Sequence, residues 1–327
     1  MLSGAFWINK PAELTSSDVV VRLKIALTRN GYCEKGFKIG HGGTLDPFAT
    51  GALVILVGEA TKLADSYLHS VKSYGGIIAL GSKTDTADFT GETIETKPVP
   101  SLNSQEWQKL ADTFTADEYW QVPPMYSAKK QNGRTLHSLA RQGIEVERKA
   151  ILKKIHEFKV SIAKTDPETS NSELSFHVRC ESGTYVRVIA EDLAQKAGTV
   201  AHLRTLIRTQ TSDVSLEQCS DLETVLKLLE AKAPTPNITA FHPMNEVAAH
   251  LLTVTVTEGQ AMSMLQGQAR AVHEVIERFH AGSSGSSARY FIARLESGAP
   301  VGLFERTSEA DSLLPATYRL QRIILWK

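Results

Sequence analysis

The chain has little that would anchor, cross-link or charge it. Its 327 residues include three cysteines, Cys33, Cys180 and Cys219. They are odd in number and far apart, which excludes a disulfide scaffold or a clustered zinc site and fits a reducing cytoplasm. No run of about eighteen apolar residues exists, so no segment reads as a membrane span. The opening stretch MLSGAFWINKPAELTSSD lacks the basic, apolar and small-residue order of a secretory signal. There is no surplus of one charge either. Lysine and arginine number 36, aspartate and glutamate 36, so only a local patch could point to an anionic partner. No internal repeat is present.

What is there begins with an apolar share of 42%, enough for a buried core. The length suggests one large and one small domain. Thr15 and Asp18 have capping-box spacing, and Val19, Leu23, Ala26 and Leu27 share one face of the helix that follows. GALVILVG reads as a buried run, and KSYGGIIALGS as a strand ending at Gly81. SLNSQEWQKLADTF is a helix with Trp107, Leu110, Ala111 and Phe114 on one side. ELSFHVRC alternates through Leu174, Phe176, Val178 and Cys180 and predicts a half-buried strand. TYVRVIAEDLAQKAG predicts a helix that repeats Tyr185, Ile189, Leu193 and Ala197 and stops at Gly198. Strands and helices interleave without a strict βαβ repeat, so the expected class is α+β with a mixed, largely antiparallel sheet. The stretch from Ala231 to Pro243 holds three prolines and reads as a linker. Beyond it, LLTVTVTEG and ARYFIARL suggest a small β-rich domain, interrupted by the flexible run AGSSGSS.

The most informative segment is GHGGTLDPFATG, Gly40 to Gly51, with a single carboxylate, Asp46. A nucleotide P-loop would end in Gly-Lys-Ser/Thr, and this loop ends in DPFATG. A dinucleotide fingerprint would open a helix, and Pro47 breaks that pattern. Two readings remain on the residues alone. Asp-Pro commonly starts a turn and caps its own backbone, or the carboxylate does chemistry.

The loop and its surroundings strongly resemble the tRNA pseudouridine-55 synthases of the TruB type. INKP at residues 8–11, TSSDVV from Thr15, GEATKL from Gly58 and KSYGG around Tyr74 belong to the same set. So do LGSKTDTADFTGE from Leu80, QVPPMYSAKKQNGRTLHSLARQGIEVER from Gln121 to Arg148, and SGTYVRVIAEDL from Ser182. They occur in the family's order and separation over nearly the whole chain. One departure is visible: Gly42 stands where many bacterial members have threonine. The resemblance implies a pseudouridine synthase catalytic domain over residues 1–238. Within it, an RNA-clamping insertion is expected at about 121–154. A more loosely matched PUA-like RNA-binding domain would follow over 239–327.

The implied reaction isomerises uridine in tRNA, breaking the N1–C1′ bond and joining C5 to C1′. Nothing is oxidised or added, so no cofactor and no metal are called for. Positive charge develops at the sugar as the bond breaks. A fixed carboxylate could attack C1′, stabilise that charge or take a proton from C2′. The resemblance assigns Asp46 as this carboxylate, with Arg187 as the cation that keeps it ionised. It makes Tyr74 the ring that stacks on the target uracil and Tyr185 a second substrate-facing ring. His41 helps to hold the flipped nucleotide, and Leu206 is an apolar wall. On the residues alone, Arg187 could be a surface side chain, Tyr74 a strand tyrosine, and Tyr185 and Leu206 parts of the core. The loop glycines are expected to let backbone and ribose approach closely.

Between Lys129 and Lys154 eight basic residues, Lys129, Lys130, Arg134, Arg141, Arg148, Lys149, Lys153 and Lys154, face only Glu145 and Glu147. That excess is either a solvated face or a grip on the T stem-loop of tRNA. It contains no aromatic residue, so the grip would be on backbone rather than bases. The expected protein is cytoplasmic and monomeric, and binds tRNA with no obligatory protein partner and no membrane. Two alternatives are kept. One is a tRNA-binding or folding chaperone, which an intact Asp46 argues against. The other is the catalytic subunit of an RNA-guided pseudouridylation particle, which the lack of basic tails argues against.

Overall fold

The computed structural model describes residues 2–127, 130–131, 134–135, 142, 144, 146–165, 172–234, 238, 240–282, 288–307 and 317–324. Its centre is a mixed sheet. Along its main path the strands run Ile155–Thr165, Ser172–Cys180, Lys72–Leu80, Ala201–Thr211, Thr50–Val57, Gly4–Lys10 and Ser220–Asp221. Two junctions are parallel: Ala201–Thr211 with Thr50–Val57, and Gly4–Lys10 with Ser220–Asp221. The others are antiparallel, so the expected α+β class with a largely antiparallel mixed sheet holds.

The strand Thr50–Val57 shows why GALVILVG is apolar throughout. Leu53, Ile55 and Val57 face one way, onto the helices Ser16–Arg29 and Leu222–Glu230. Val54 and Leu56 face the other way, onto Val247, Leu251, Tyr290, Ile292 and Leu303 of the C-terminal region. A strand covered on both faces has no polar side to offer. The strand Ser172–Cys180 has one covered face, and its alternation is the result. Leu174, Phe176, Val178 and Cys180 are buried with Trp107, Ala111 and Phe114 of the helix Ser104–Ala116 and with Ile189 and Leu193 of the helix Val186–Lys196.

The helix starts behave as their sequences require. Thr15 Oγ1 accepts the Asp18 N–H at 3.0 Å, and the Thr15 N–H donates to Asp18 Oδ2 at 2.8 Å. This reciprocal cap is worth about 1 kcal/mol. The helix Val186–Lys196 begins after Tyr185 and is closed by Gly198 at φ +79°.

In the C-terminal region Leu252–Val256 pairs in parallel with Tyr290–Leu295, and Pro300–Arg306 and Tyr318–Ile323 extend the sheet antiparallel. The helices Glu258–Leu265 and Ala269–Gly282 lie in this region as well; the sequence reading missed both. Ala271, Val275 and Phe279, four apart and buried, were the available signal. The proline-rich stretch before it is only partly a linker, because Phe241–Pro243 pairs with Gly4–Phe6 at the edge of the main sheet. Most of the serine-glycine run, 283–287, lies outside the described residues.

Candidate active site

Asp46 stands in a loop tied down from three sides. Ser16, the first residue of its helix, accepts the Leu45 N–H on its Oγ at 2.9 Å. Lys10, fully buried, donates to the carbonyls of Pro11, Leu14 and Pro47 at 2.8, 2.7 and 3.1 Å. Arg208, also buried, donates to the carbonyls of Ala52, Thr44 and Gly43 at 2.7, 3.2 and 3.2 Å. The turn reading of Asp-Pro holds, since the Ala49 N–H donates to the Asp46 carbonyl at 3.1 Å. The turn does not exclude a chemical role, because its hydrogen bond uses the Asp46 carbonyl and leaves the carboxylate to other partners.

Two of the loop's glycines serve packing inside the protein rather than room for a ribose. A Cβ at Gly51 would lie 2.3 Å from the Arg208 carbonyl oxygen, and one at Gly42 would lie 2.7 Å from Tyr67 Cβ. Threonine at position 42 is therefore incompatible with Tyr67 as placed.

The partner of Asp46 comes from the first turn of the helix Val186–Lys196. Arg187 Nε lies 2.9 Å from Asp46 Oδ2. Its remaining donors reach the Thr86 and Tyr126 carbonyls, both at 2.8 Å. A second carboxylate, Asp88, sits 3.6 Å from Arg187 NH1. Asp88 is itself fixed by the Thr90 N–H at 3.0 Å and the Thr86 hydroxyl at 2.9 Å. Arg187 is 3% exposed, so the reading of a surface arginine fails. Burial pushes the Asp46 carboxyl above the usual carboxylate range, Arg187 opposes that shift, and Asp88 adds to it. A planar fork with fixed acceptors suits this arrangement better than an ammonium would.

Asp46 and Arg187 border a cavity of about 510 Å³ that Tyr74, Tyr185, Leu206, Arg208, Lys72 and Lys153 also line. Tyr74 comes from the strand Lys72–Leu80 and is the cross-strand partner of Arg208. Its hydroxyl is pushed up by burial, with Arg208 opposing. Tyr185 comes from the N-cap of the helix, and burial raises its hydroxyl likewise. Leu206, 6% exposed, closes the apolar side. Lys72 donates to the carbonyls of Tyr67, Leu68 and Ser70 at 2.6, 2.9 and 2.7 Å, and burial, then Arg208, pull its ammonium down to about 7. Cations outnumber carboxylates around this cavity, in a chain of no net charge. A second cavity of about 410 Å³ opens on the other side of Asp46, between Phe48, Asp88, Thr90 and Tyr126.

Asp46, Tyr74, Tyr185, Arg187 and Leu206 thus converge. His41 does not join them. It ends the short strand Ile39–His41, its Nδ1 faces the Gly43 N–H at 3.4 Å, and the residues lining the cavity do not include it. Burial, then Arg208, lower its pKa. Lys129 and Arg141 lie outside the described residues, and of Lys130 only its place in the strand Lys130–Gln131 is described. Of the rest of that basic run, Lys153 reaches the cavity and donates to the Ser182 carbonyl at 2.9 Å. Asp88 and Arg208 were missed in the sequence. Asp88 sits in TDTADFTG with nothing to separate it from Asp85, and Arg208 lies within the mixed polar and apolar strand Ala201–Thr211 with no motif of its own. Among the described residues no three His, Cys, Asp or Glu side chains converge as a metal site. No helix among them is long and apolar enough to cross a membrane.

Residues 29–186 match the family described as TruB family pseudouridylate synthase (N terminal domain). The chain is 34% identical to tRNA pseudouridine synthase B of Bacillus subtilis (strain 168) over 326 residues, covering 98% of this chain and 99% of that protein. The enzyme of the same name from Nitrosococcus oceani is 37% identical over 267 residues, 82% of each chain. That from Opitutus terrae is 40% identical over 238 residues, 72% of this chain and 90% of its own length. Among solved structures, a Cbf5–Nop10–Gar1 complex matches with a TM-score of 0.66 at 19% identity, over 99% of this chain and 86% of that one. At that identity the likeness is one of fold.

Proposed function

The chain belongs to the TruB family of pseudouridylate synthases, and we propose that it converts uridine to pseudouridine at position 55 in the T loop of tRNA, with Asp46 as the catalytic carboxylate. The observation that carries this reading is the Asp46–Arg187 contact of 2.9 Å beside a cavity lined by two tyrosines.

The chemistry fits that arrangement. The N1–C1′ bond breaks with its electron pair going to the uracil. The uracil turns, C5 bonds to C1′, the C5 proton is lost and N1 takes one up. Atoms and electrons balance within the substrate, so the reaction calls for no cofactor. As the bond breaks, the sugar becomes electron-poor, and a carboxylate held close stabilises it, attacks C1′ or removes the C2′ proton. Each role needs the anion. Burial works against the anion, and Arg187 opposes that effect. A uridine must leave its stack to reach Asp46. Tyr74 receives the uracil face, with Tyr185 and Leu206 as the other walls, while His41, outside the cavity lining, helps to hold the flipped nucleotide. Lys129, Lys130 and Arg141 grip the T-arm backbone.

For function we divide the chain into a catalytic unit, 1–238, with its clamping insertion at about 121–154, and a PUA-like RNA-binding unit, 239–327. It works as a cytoplasmic monomer with tRNA as its partner. The test is an incubation with unmodified tRNA transcript, followed by carbodiimide adduct formation and primer extension. One new stop, at T-loop position 55, is expected. Asp46→Asn should bind tRNA within a few-fold of wild type and produce no stop. A wild-type reaction without pseudouridine at that position, or an Asp46→Asn rate within tenfold of wild type, would overturn the assignment.

A further inference from the structure

The strand Tyr119–Gln121 alternates in, out, in. Tyr119 and Gln121 are buried, whereas Trp120 is 57% exposed. The inward residue at its end is an amide, only 1% exposed. A buried amide without partners is costly, and Gln121 has three. Its Oε1 accepts the Tyr185 N–H at 2.8 Å, and its Nε2 donates to the Tyr185 carbonyl at 3.1 Å. Nε2 also donates to the Tyr119 hydroxyl at 3.0 Å, and that hydroxyl donates to Asp192 at 2.6 Å.

The side chain thus does what a neighbouring strand would do: it takes both main-chain groups of one residue. That residue is Tyr185, the N-cap of the helix that carries Arg187, and it has no side-chain cap of its own. Asp192 lies farther along the same helix, so the helix is held at two points by one chain of bonds. The amide cannot be turned over, because Oε1 would then face the Tyr185 carbonyl. A few residues on, the Tyr126 carbonyl of the same segment accepts from Arg187.

We propose that Gln121 is a positioning residue for catalysis, which through the Tyr185 main chain sets both the Tyr185 ring in the cavity and the Arg187 fork on Asp46. The inference rests on Asp46 being the catalytic carboxylate. It adds a residue that touches neither Asp46 nor the cavity. It also links two parts of the site, since the strand that ends in Gln121 leads into the basic run assigned to RNA backbone.

The test uses Gln121→Met, which keeps length and removes all three hydrogen bonds, and Gln121→Glu. A protonated glutamic acid can still accept from the Tyr185 N–H and donate to its carbonyl, whereas an ionised one sets a negative oxygen against that carbonyl. The titratable groups around it are Tyr119, Asp192 and Tyr185, with Lys153 on the paired strand. Single-turnover rates and KM are measured on a T stem-loop transcript at several pH values, beside wild type and Asp46→Asn. In Gln121→Met, kcat should fall by about a hundredfold, as for an ångström-scale misplacement, with KM within threefold and no dependence of the loss on pH. In Gln121→Glu, kcat relative to wild type should recover as pH falls. A Gln121→Glu loss that ignores pH, a loss carried by KM, or rates within threefold of wild type in both variants would overturn the proposal. Melting curves accompany each rate. If Gln121→Met is unfolded at the assay temperature, the pH trend of Gln121→Glu decides alone. Retained turnover in Asp46→Asn would instead defeat the assignment of Asp46, whatever the Gln121 variants do.

Discussion

Arg187→Lys keeps one positive charge and removes the fork. The guanidinium donates in three directions, to Asp46 at 2.9 Å and to the Thr86 and Tyr126 carbonyls at 2.8 Å each. An ammonium on a shorter reach satisfies one of them. The two carbonyl bonds come from a residue 3% exposed, so water does not replace them freely. Hydrogen bonds to a charged group are worth about 1.5–3 kcal/mol each. The Asp46 side chain is 35% exposed, so its share is partly returned by solvent and is discounted. A stability loss of about 3 kcal/mol follows, equivalent to a fall in Tm of about 6–12 °C for a domain of this size. Turnover should drop by about a hundredfold as the carboxylate loses its fixed position.

The pH dependence has a definite sign. Burial raises the Asp46 carboxyl above its usual range, and Arg187 lowers it. Weakening the pair moves it further up. The proposed role of Asp46 needs the anion, so the acid limb of kcat should shift to higher pH in Arg187→Lys, and further in Arg187→Met. Stability runs the opposite way. A carboxyl whose folded pKa lies above its unfolded value binds its proton more tightly in the fold. Its ionisation therefore costs stability as pH rises past the unfolded pKa, and protonation returns it. The gap in Tm between variant and wild type should narrow toward acid pH. Circular-dichroism melts between about pH 4 and 9, with single-turnover rates on the T stem-loop over the same range, measure both effects. If Arg187→Lys melts within about 2 °C of wild type and its acid limb superimposes, the fork does not hold Asp46.

Tyr74→Phe should bind stem-loop RNA almost normally, whereas Tyr74→Leu should lose stacking worth about 1–3 kcal/mol; equal affinities in a fluorescence titration would remove the stacking role. Reversing Lys129, Lys130 and Arg141 to Glu should weaken tRNA binding and flatten the plot of log affinity against log salt. Equal slopes for variant and wild type would show a merely solvated face. Ending the chain near Pro243 should unfold the catalytic unit rather than only weaken RNA binding. Trp7, Val54, Leu56, Leu63 and Tyr67 share one buried cluster with Val247, Leu251, Tyr290, Ile292 and Leu303, and the Tyr67 hydroxyl donates to the Val247 carbonyl at 2.6 Å. Uncovering several large apolar side chains at about 1.5–3 kcal/mol each exceeds what a marginally stable domain holds in reserve. A soluble fragment with a wild-type melting curve would contradict this.

Short-range physics determined what the sequence alone could show. Capping between Thr15 and Asp18 involves residues three apart, and the alternation from Leu174 to Cys180 is a property of one strand. The helix stop at Gly198 and the Asp-Pro turn are equally local, and each reads directly from residue types. Asp46 stood out because a lone carboxylate in a glycine-rich loop is a local oddity. Matched motifs then supplied Tyr74, Tyr185, Arg187 and Leu206 as candidates, but not what holds them. Only the tertiary structure decided that Arg187 is buried between Asp46 and Asp88, that Arg208 carries the loop from below, and that His41 stays out of the cavity. It also decided that Gly42 is required by Tyr67, and that the proline-rich stretch returns to the main sheet at Phe241–Pro243. Each of these depends on which strands lie side by side and which faces they bury. Burial is what turns an arginine from a solvated side chain into a fixed fork. No spacing along the chain encodes it, because the groups that exclude the water come from elements far apart in sequence.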